Sequence, residues 1–179
     1  KKNALRMALY LANRPEEDTS FFAEAIKTLG TDLKNCQSCF NYADTNICEI
    51  CADPVRKKSQ ICVVESVRDV MAIEDTQQFN GVYHVLGGII SPIDGVGPED
   101  IRIQELLDRI EAHDEVEIIM AISPTIEGET TTYYISKQLK NYNVKLSVIA
   151  RGVSFGGDLE YADEVTLGRS IVARLPYEQ

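Results

Sequence analysis

Apolar positions recur along this chain in two rhythms. Over the first 34 residues the spacing is helical. Leu5, Ala8, Leu9 and Ala12 share one stripe and predict a helix over 3–13. Pro15 with Glu16, Glu17 and Asp18 starts a second helix, because acidic side chains in a first turn meet the positive end of the helix dipole. Its stripe of Phe22, Ile26, Leu29 and Leu33 follows an i, i+4, i+7, i+11 spacing and predicts a core-facing side.

From residue 61 the rhythm changes. Short, mostly apolar runs at 61–64, 82–86, 116–122 and 144–150 predict strands buried on both faces. Between them lie helical spacings: Val67, Val70 and Met71; Ile103, Leu106, Leu107 and Ile110; then 128–140 with Ile135 and Leu139 inward. Gly87 to Pro98 is rich in Gly and Pro and predicts a loop. Strands alternating with helices predict a mostly parallel sheet covered on both faces.

Composition narrows the class. The 179 residues are 44% hydrophobic and 26% charged, the mix of an ordinary globular protein. The longest apolar run, Met7 to Ala12, falls far short of the roughly 18 residues that span a bilayer. No secretory signal is visible, so a cytoplasmic protein is expected. The opening Lys-Lys reads as an N-terminally trimmed form. Net charge is −10, unevenly placed: residues 1–60 carry nine Lys/Arg against eight Asp/Glu, leaving nine against twenty for 61–179. Contacts with phosphates are therefore expected in the first third, since the remainder repels them.

Four of the five cysteines stand as Cys36-Gln-Ser-Cys39 and Cys48-Glu-Ile-Cys51. Two Cys-x-x-Cys knuckles this close aim four thiolates at one point, and a tetrahedral Zn²⁺ takes all four. Two disulfides would use the same residues, but a chain without an export signal sits where thiols stay reduced. Four protein ligands close the site, so the zinc is structural. It also replaces the core that so short a module lacks. Cys62, between Ile61 and Val63, reads as a small buried apolar residue. Arg56-Lys57-Lys58 reads as a linker first and a phosphate contact second.

In parallel sheets chemistry collects beyond the carboxyl ends of the strands. There this chain is acidic: Glu65 ends the first strand, and Glu127 and Glu129 open the helix after the third. Were these strands neighbours, the three carboxylates could hold Mg²⁺ for phosphoryl transfer on nucleic acid. Equally, Glu127 and Glu129 simply suit a helix N-terminus. His84 and His113 have no ligand partner at useful spacing.

Taken in order, these pieces resemble the RecR family of bacterial recombination mediators over essentially the whole chain. The zinc block precedes Ile61-Cys62-Val63-Val64-Glu65-Ser66, which looks like the opening of a Toprim domain. Tyr83 to Pro92, Gly95 to Pro98, Ser123 to Thr130, Arg151-Gly152-Val153 and Gly156 to Leu167 are also similar to that family. The resemblance implies an α/β protein in four parts: a helical arm (1–34), a zinc module (35–58), a Rossmann-like Toprim domain (59–155) and a C-terminal tail (156–179). It implies a non-catalytic DNA-repair clamp, a dimer or tetramer, that works with RecO and RecF to load the RecA recombinase on gapped DNA.

Catalytic Toprim domains use a Glu with an Asp-x-Asp pair. Here that pair is Glu127-Gly-Glu129, one methylene longer on each arm, which agrees with lost or altered catalysis. The acidic face of Glu65, Glu127 and Glu129 is then implied to dock RecO, and Lys2 and Arg6 to lie at or beside the DNA contacts. The stretch Lys1 to Arg6 resembles only the last part of the family's helix-hairpin-helix. The tail resembles a Walker B strand, but no phosphate-binding Gly-x-x-x-x-Gly-Lys-Ser/Thr loop accompanies it, so nucleotide hydrolysis has no support. It reads as a packing or subunit-exchange element with Tyr161, Val165, Leu167 and Ile171 as apolar contacts. The rival reading is an enzyme, a Mg²⁺-dependent Toprim nuclease or primase using the three glutamates.

Overall fold

The structure, a computed structural model, describes residues 2–112, 115–153, 156 and 158–176. The expectations on Lys1, His113 and Gly157 lie outside the described residues.

Two helices open the chain, α1 (Lys2–Ala12) and α2 (Glu16–Asp32), with Pro15 at the N-cap of α2 and three acidic residues in its first turn. A two-stranded antiparallel ribbon follows, β1 (Lys34–Asn35) and β2 (Tyr42–Ala43), and then the short α3 (Glu49–Ala52). The remainder builds one parallel sheet: β3 (Lys57–Val64), α4 (Val67–Glu74), β4 (Gly81–Val85), α5 (Ile103–Glu111), β5 (Val116–Ala121), α6 (Ile126–Gln138) and β6 (Val144–Val148). A last helix, α7 (Glu164–Val172), closes the described chain.

Strand order is β4-β3-β5-β6, all parallel. Cys62 of β3 lies in register between Tyr83 of β4 and Ile119 of β5. The apolar runs of β3, β4 and β5 are covered on both faces as expected. The edge strand β6 instead buries no residue and leaves Leu146 and Val148 exposed, because among the described residues no further strand or helix closes over it. One face packs Ile61, Val63, Leu106, Ile110, Ile118 and Ile135 beneath α5 and α6. The other packs Cys62, Val64, Val70 and Tyr83 beneath α4, with Phe40 and Ile50 of the zinc module against it. Burial pushes the Cys62 thiol up to about 12, so it behaves as an apolar side chain.

Two further expectations need correction. The stripe of α2 faces no core: Phe22, Ile26, Leu29 and Leu33 are all exposed, and neither α1 nor α2 buries a residue. Periodicity reports which side of a helix is apolar, not what lies opposite it. Nor is Arg56-Lys57-Lys58 a linker. Lys57 begins β3, while Arg56 and Lys58 are tied down by the surrounding fold. In the single chain the tail residues Tyr161, Val165 and Ile171 are exposed.

Candidate functional site

The cysteine module is built by short-range hydrogen bonds rather than by a core. Cys36 N–H donates to Asn41 O (2.7 Å) and Phe40 N–H to Cys36 O (2.9 Å), turning the chain between β1 and β2. Phe40 takes φ of 63°, a conformation costly for a bulky side chain and held here by both its neighbours and its packing. Cys48 caps α3, its sulfur accepting from Cys51 N–H.

The result is four sulfurs, from Cys36, Cys39, Cys48 and Cys51, within 4.8 Å of one another, with Cys39 and Cys48 3.5 Å apart. A disulfide needs about 2.05 Å. Four sulfurs held tetrahedrally at about 2.3 Å from Zn²⁺ would stand just under 4 Å apart, so spacing and donor set both fit that ion. Sulfurs this close share protons. Cys48, accepting from Cys39 and Cys51, is drawn far below the ordinary thiol range, while Cys39 is pushed above it. A divalent cation resolves that competition by replacing the protons.

The module is fastened to the sheet at three places. Val85 N–H, at the end of β4, donates to Cys39 O (2.9 Å). The ring of Phe40 meets His84 edge-on, with centroids 5.5 Å apart, and carries the Arg102 guanidinium 4.7 Å above it. Lys58 Nζ donates to the carbonyls of Cys51 (2.8 Å) and Asp53 (2.7 Å), closing the end of α3. Arg56 forks onto Glu74, which also accepts from the buried Tyr83 hydroxyl (2.6 Å). The Arg56 guanidinium holds the Glu74 carboxyl below its usual range, and burial raises Tyr83.

At the carboxyl ends of the strands, Glu65 follows β3 and its carbonyl accepts from Gly87 N–H (3.0 Å). Glu127 and Glu129 stand in the first turn of α6. Thr125 caps that helix, its Oγ1 accepting from Gly128 N–H (3.0 Å). Gly128 is dictated by space, since a Cβ there would lie 2.0 Å from the Ser123 carbonyl oxygen. Glu129 pairs with Arg151 just after β6 and lies 3.9 Å from Arg169 of α7. Sequence reasoning missed this partnership; Arg151 stood only as part of a matching tripeptide, with nothing to name its partner. Among the described residues, the cysteines are the one group of three or more His, Cys, Asp or Glu donors close enough to share a metal ion. Glu65, Glu127 and Glu129 do not form a second one.

Lys2 and Arg6 lie one turn apart on the exposed α1. Among the described residues no helix is long and apolar enough to cross a membrane.

Comparison with known proteins agrees with this geometry part by part. Residues 33–53 match the four-cysteine zinc finger domain of RecR, 59–150 the Toprim domain and 152–174 the RecR C-terminal region. Fold and site together thus define a zinc-finger Toprim protein. Its relatives narrow this further. The chain is 52% identical over 179 residues to the recombination protein RecR of Flavobacterium johnsoniae, covering 100% of this chain and 87% of that protein. It is 53% identical over 177 residues to RecR of Parabacteroides distasonis, covering 99% and 85%. RecR of Porphyromonas gingivalis is 50% identical over 177 residues, covering 99% and 86%. The chain belongs to the RecR family, with a role in recombinational DNA repair and a structural zinc.

Proposed function

We propose that this protein is a non-catalytic clamp that works with RecO and RecF in loading RecA on gapped DNA, as a cytoplasmic homo-oligomer. Lys2 and Arg6 on α1 contact DNA phosphates, and the acidic face of Glu65, Glu127 and Glu129 docks RecO. The single observation that carries the reading is the engagement of Glu129. Its carboxylate is shared between Arg151 and Arg169, two cations that compete with any metal ion for the same oxygens. Charge supports the division of labour: the excess of acidic residues lies after residue 60, while the basic residues of α1 project from the apolar arm. An acidic face gains on-rate and selectivity from a basic partner.

The test uses a labelled gapped duplex titrated with protein and Mg²⁺ at several salt concentrations, read by anisotropy and then on a denaturing gel. Binding that weakens with salt over intact strands is expected. Nicked or shortened strands that disappear in Glu65→Gln would instead establish an enzyme. In parallel, Glu65→Gln, Glu127→Gln and Glu129→Gln are each expected to weaken RecO binding; unchanged RecO affinity in all three would overturn the docking assignment.

A further inference from the structure

Between the zinc module and the sheet lies an open cavity of about 490 Å³ that no role described above uses. Its walls come from three separate elements. Asn35 and Tyr42, paired across the β1–β2 ribbon, line it together with Phe40 of the same ribbon, Arg68 of α4, and Gly87 and Arg102 from the segment after β4. We infer that this cleft binds a nucleotide of single-stranded DNA, with a base stacked on Tyr42 and Arg102 and a phosphate on Arg68. The inference rests on the DNA-associated role proposed above and adds to it a second contact point, away from α1.

Three observations carry it. The first is uncommitted positive charge. In a chain of net charge −10, Arg56, Arg151 and Arg169 are each paired with a carboxylate. Among the described residues neither Arg68 nor Arg102 has a carboxylate oxygen within 4.0 Å, and both line this cleft. The nearest acid on the same helix, Asp69, is engaged, accepting from Ser66 N–H (2.8 Å) and Ser66 Oγ (2.9 Å).

The second is exposed aromatic surface. Tyr42 is 52% exposed although its module is tightly folded, and the Arg102 guanidinium, which lies over the Phe40 ring, lines the same cavity. Stacking surfaces beside cations are the pattern of sequence-tolerant single-strand binding.

The third is that Arg102 is held in place. Arg102 N–H donates to Leu86 O (3.0 Å), and its carbonyl accepts from His84 Nε2 (2.7 Å). Gly87, at φ +84°, makes room for the guanidinium, since a Cβ there would lie 2.5 Å from Arg102 Nη1. A preorganised cation loses less freedom on binding than a mobile surface one.

The test is anisotropy of a fluorescein-labelled thymidine dodecamer with the full zinc-loaded chain, run beside the gapped duplex. Tyr42→Ala and Arg68→Ala are each expected to weaken dodecamer binding about tenfold, with Tyr42→Phe close to wild type because the ring is kept. Arg68→Ala should also reduce the salt slope by about 0.7, the share of one phosphate contact on a single strand. Zinc content and circular dichroism of each variant show that it is folded. Folded Tyr42→Ala and Arg68→Ala proteins that bind the dodecamer like wild type overturn the site, as does a dodecamer that fails to bind while the gapped duplex binds. If neither DNA binds, the DNA-associated reading itself fails. Loss of binding to an acidic peptide, with the dodecamer unaffected, would assign the cleft to a protein partner instead and overturn the proposal.

Discussion

Val85 and Cys39 are joined by a single backbone hydrogen bond of 2.9 Å, through which the zinc module continues the edge of the parallel sheet. The amide of an edge strand is thereby covered by a metal knuckle rather than by another strand. The edge of β4 thus depends on metal, although no metal ligand lies in β4.

Removing zinc should therefore be felt in the sheet. A structural zinc supplies on the order of 10 kcal/mol to a module that has no core of its own. Chelation, or Cys39→Ser, is expected to unfold residues 33–53 and to raise amide exchange at Val85 by roughly tenfold or more. Amides in the centre of β3 and β5 should keep their protection. Unchanged exchange at Val85 in metal-free protein would sever the link.

The Arg56–Glu74–Tyr83 network predicts a second sensitivity. Glu74 is largely shielded and accepts from both partners, so Glu74→Ala leaves a guanidinium and a buried hydroxyl without their acceptor. A loss of about 2 kcal/mol in unfolding free energy is expected. Because the folded carboxyl titrates below its unfolded value, this contribution is complete above the unfolded pKa and fades as pH falls through the folded one. Glu74→Gln should flatten that part of the acid limb in urea titrations; an unaltered limb would show that the pair contributes nothing.

Much of this architecture was legible because it follows from period and spacing. Unbroken runs such as Ile61–Val64 had to be interior strands, and two Cys-x-x-Cys knuckles had to share a metal. Three kinds of feature were not legible. The exposure of Phe22, Ile26 and Leu29 depends on what stands opposite α2, which a stripe does not report. The Glu129–Arg151 pair joins residues 22 apart, and any of several arginines would have looked equivalent. Lys58 read as part of a linker, yet its ammonium is spent on carbonyls left open at the end of α3.

The glutamate shared by Arg151 and Arg169 predicts a mobile tail on its removal. Glu129 and both arginines are partly exposed, so the pairs contribute about 0.5 kcal/mol each. Glu129→Gln should barely move the thermal midpoint. It should, however, raise amide exchange and protease sensitivity across α7, which buries no residue of its own. A double-mutant cycle of Glu129→Gln with Arg151→Gln is expected to show coupling of the same size; zero coupling would refute the pairing.

Gly128 predicts a steric effect that charge substitutions nearby do not. A methyl group 2.0 Å from the Ser123 carbonyl oxygen meets backbone that has no room to retreat, because Thr125 N–H donates to that same oxygen (2.8 Å). Gly128→Ala should destabilise the protein by about 2 kcal/mol despite the better helix propensity of Ala. Stability equal to wild type would mean that the turn before α6 relaxes freely.

His84 predicts a pH dependence of its own. Its side chain is fully buried, donates Nε2–H to Arg102 O and leaves Nδ1 without a partner. Burial, aided by the charges of Arg109 and Arg102, lowers its pKa from 6.5 to about 4. The folded protein therefore holds a neutral imidazole at a pH where the unfolded chain is already protonated. Stability from this residue is complete above about pH 6.5 and falls by about 3 kcal/mol as pH drops to about 4, because over that interval the unfolded state binds the extra proton. Carboxylates such as Glu74 titrate over part of the same range, so the measurement is a difference. Unfolding free energies of wild type and His84→Phe, taken from about pH 8 to about pH 4, should diverge through that window, with the variant losing less. Since His84 also touches Phe40, its protonation would loosen the contact between the zinc module and the sheet, and exchange at Val85 should rise in step. Parallel curves for the two proteins would place the acid sensitivity elsewhere.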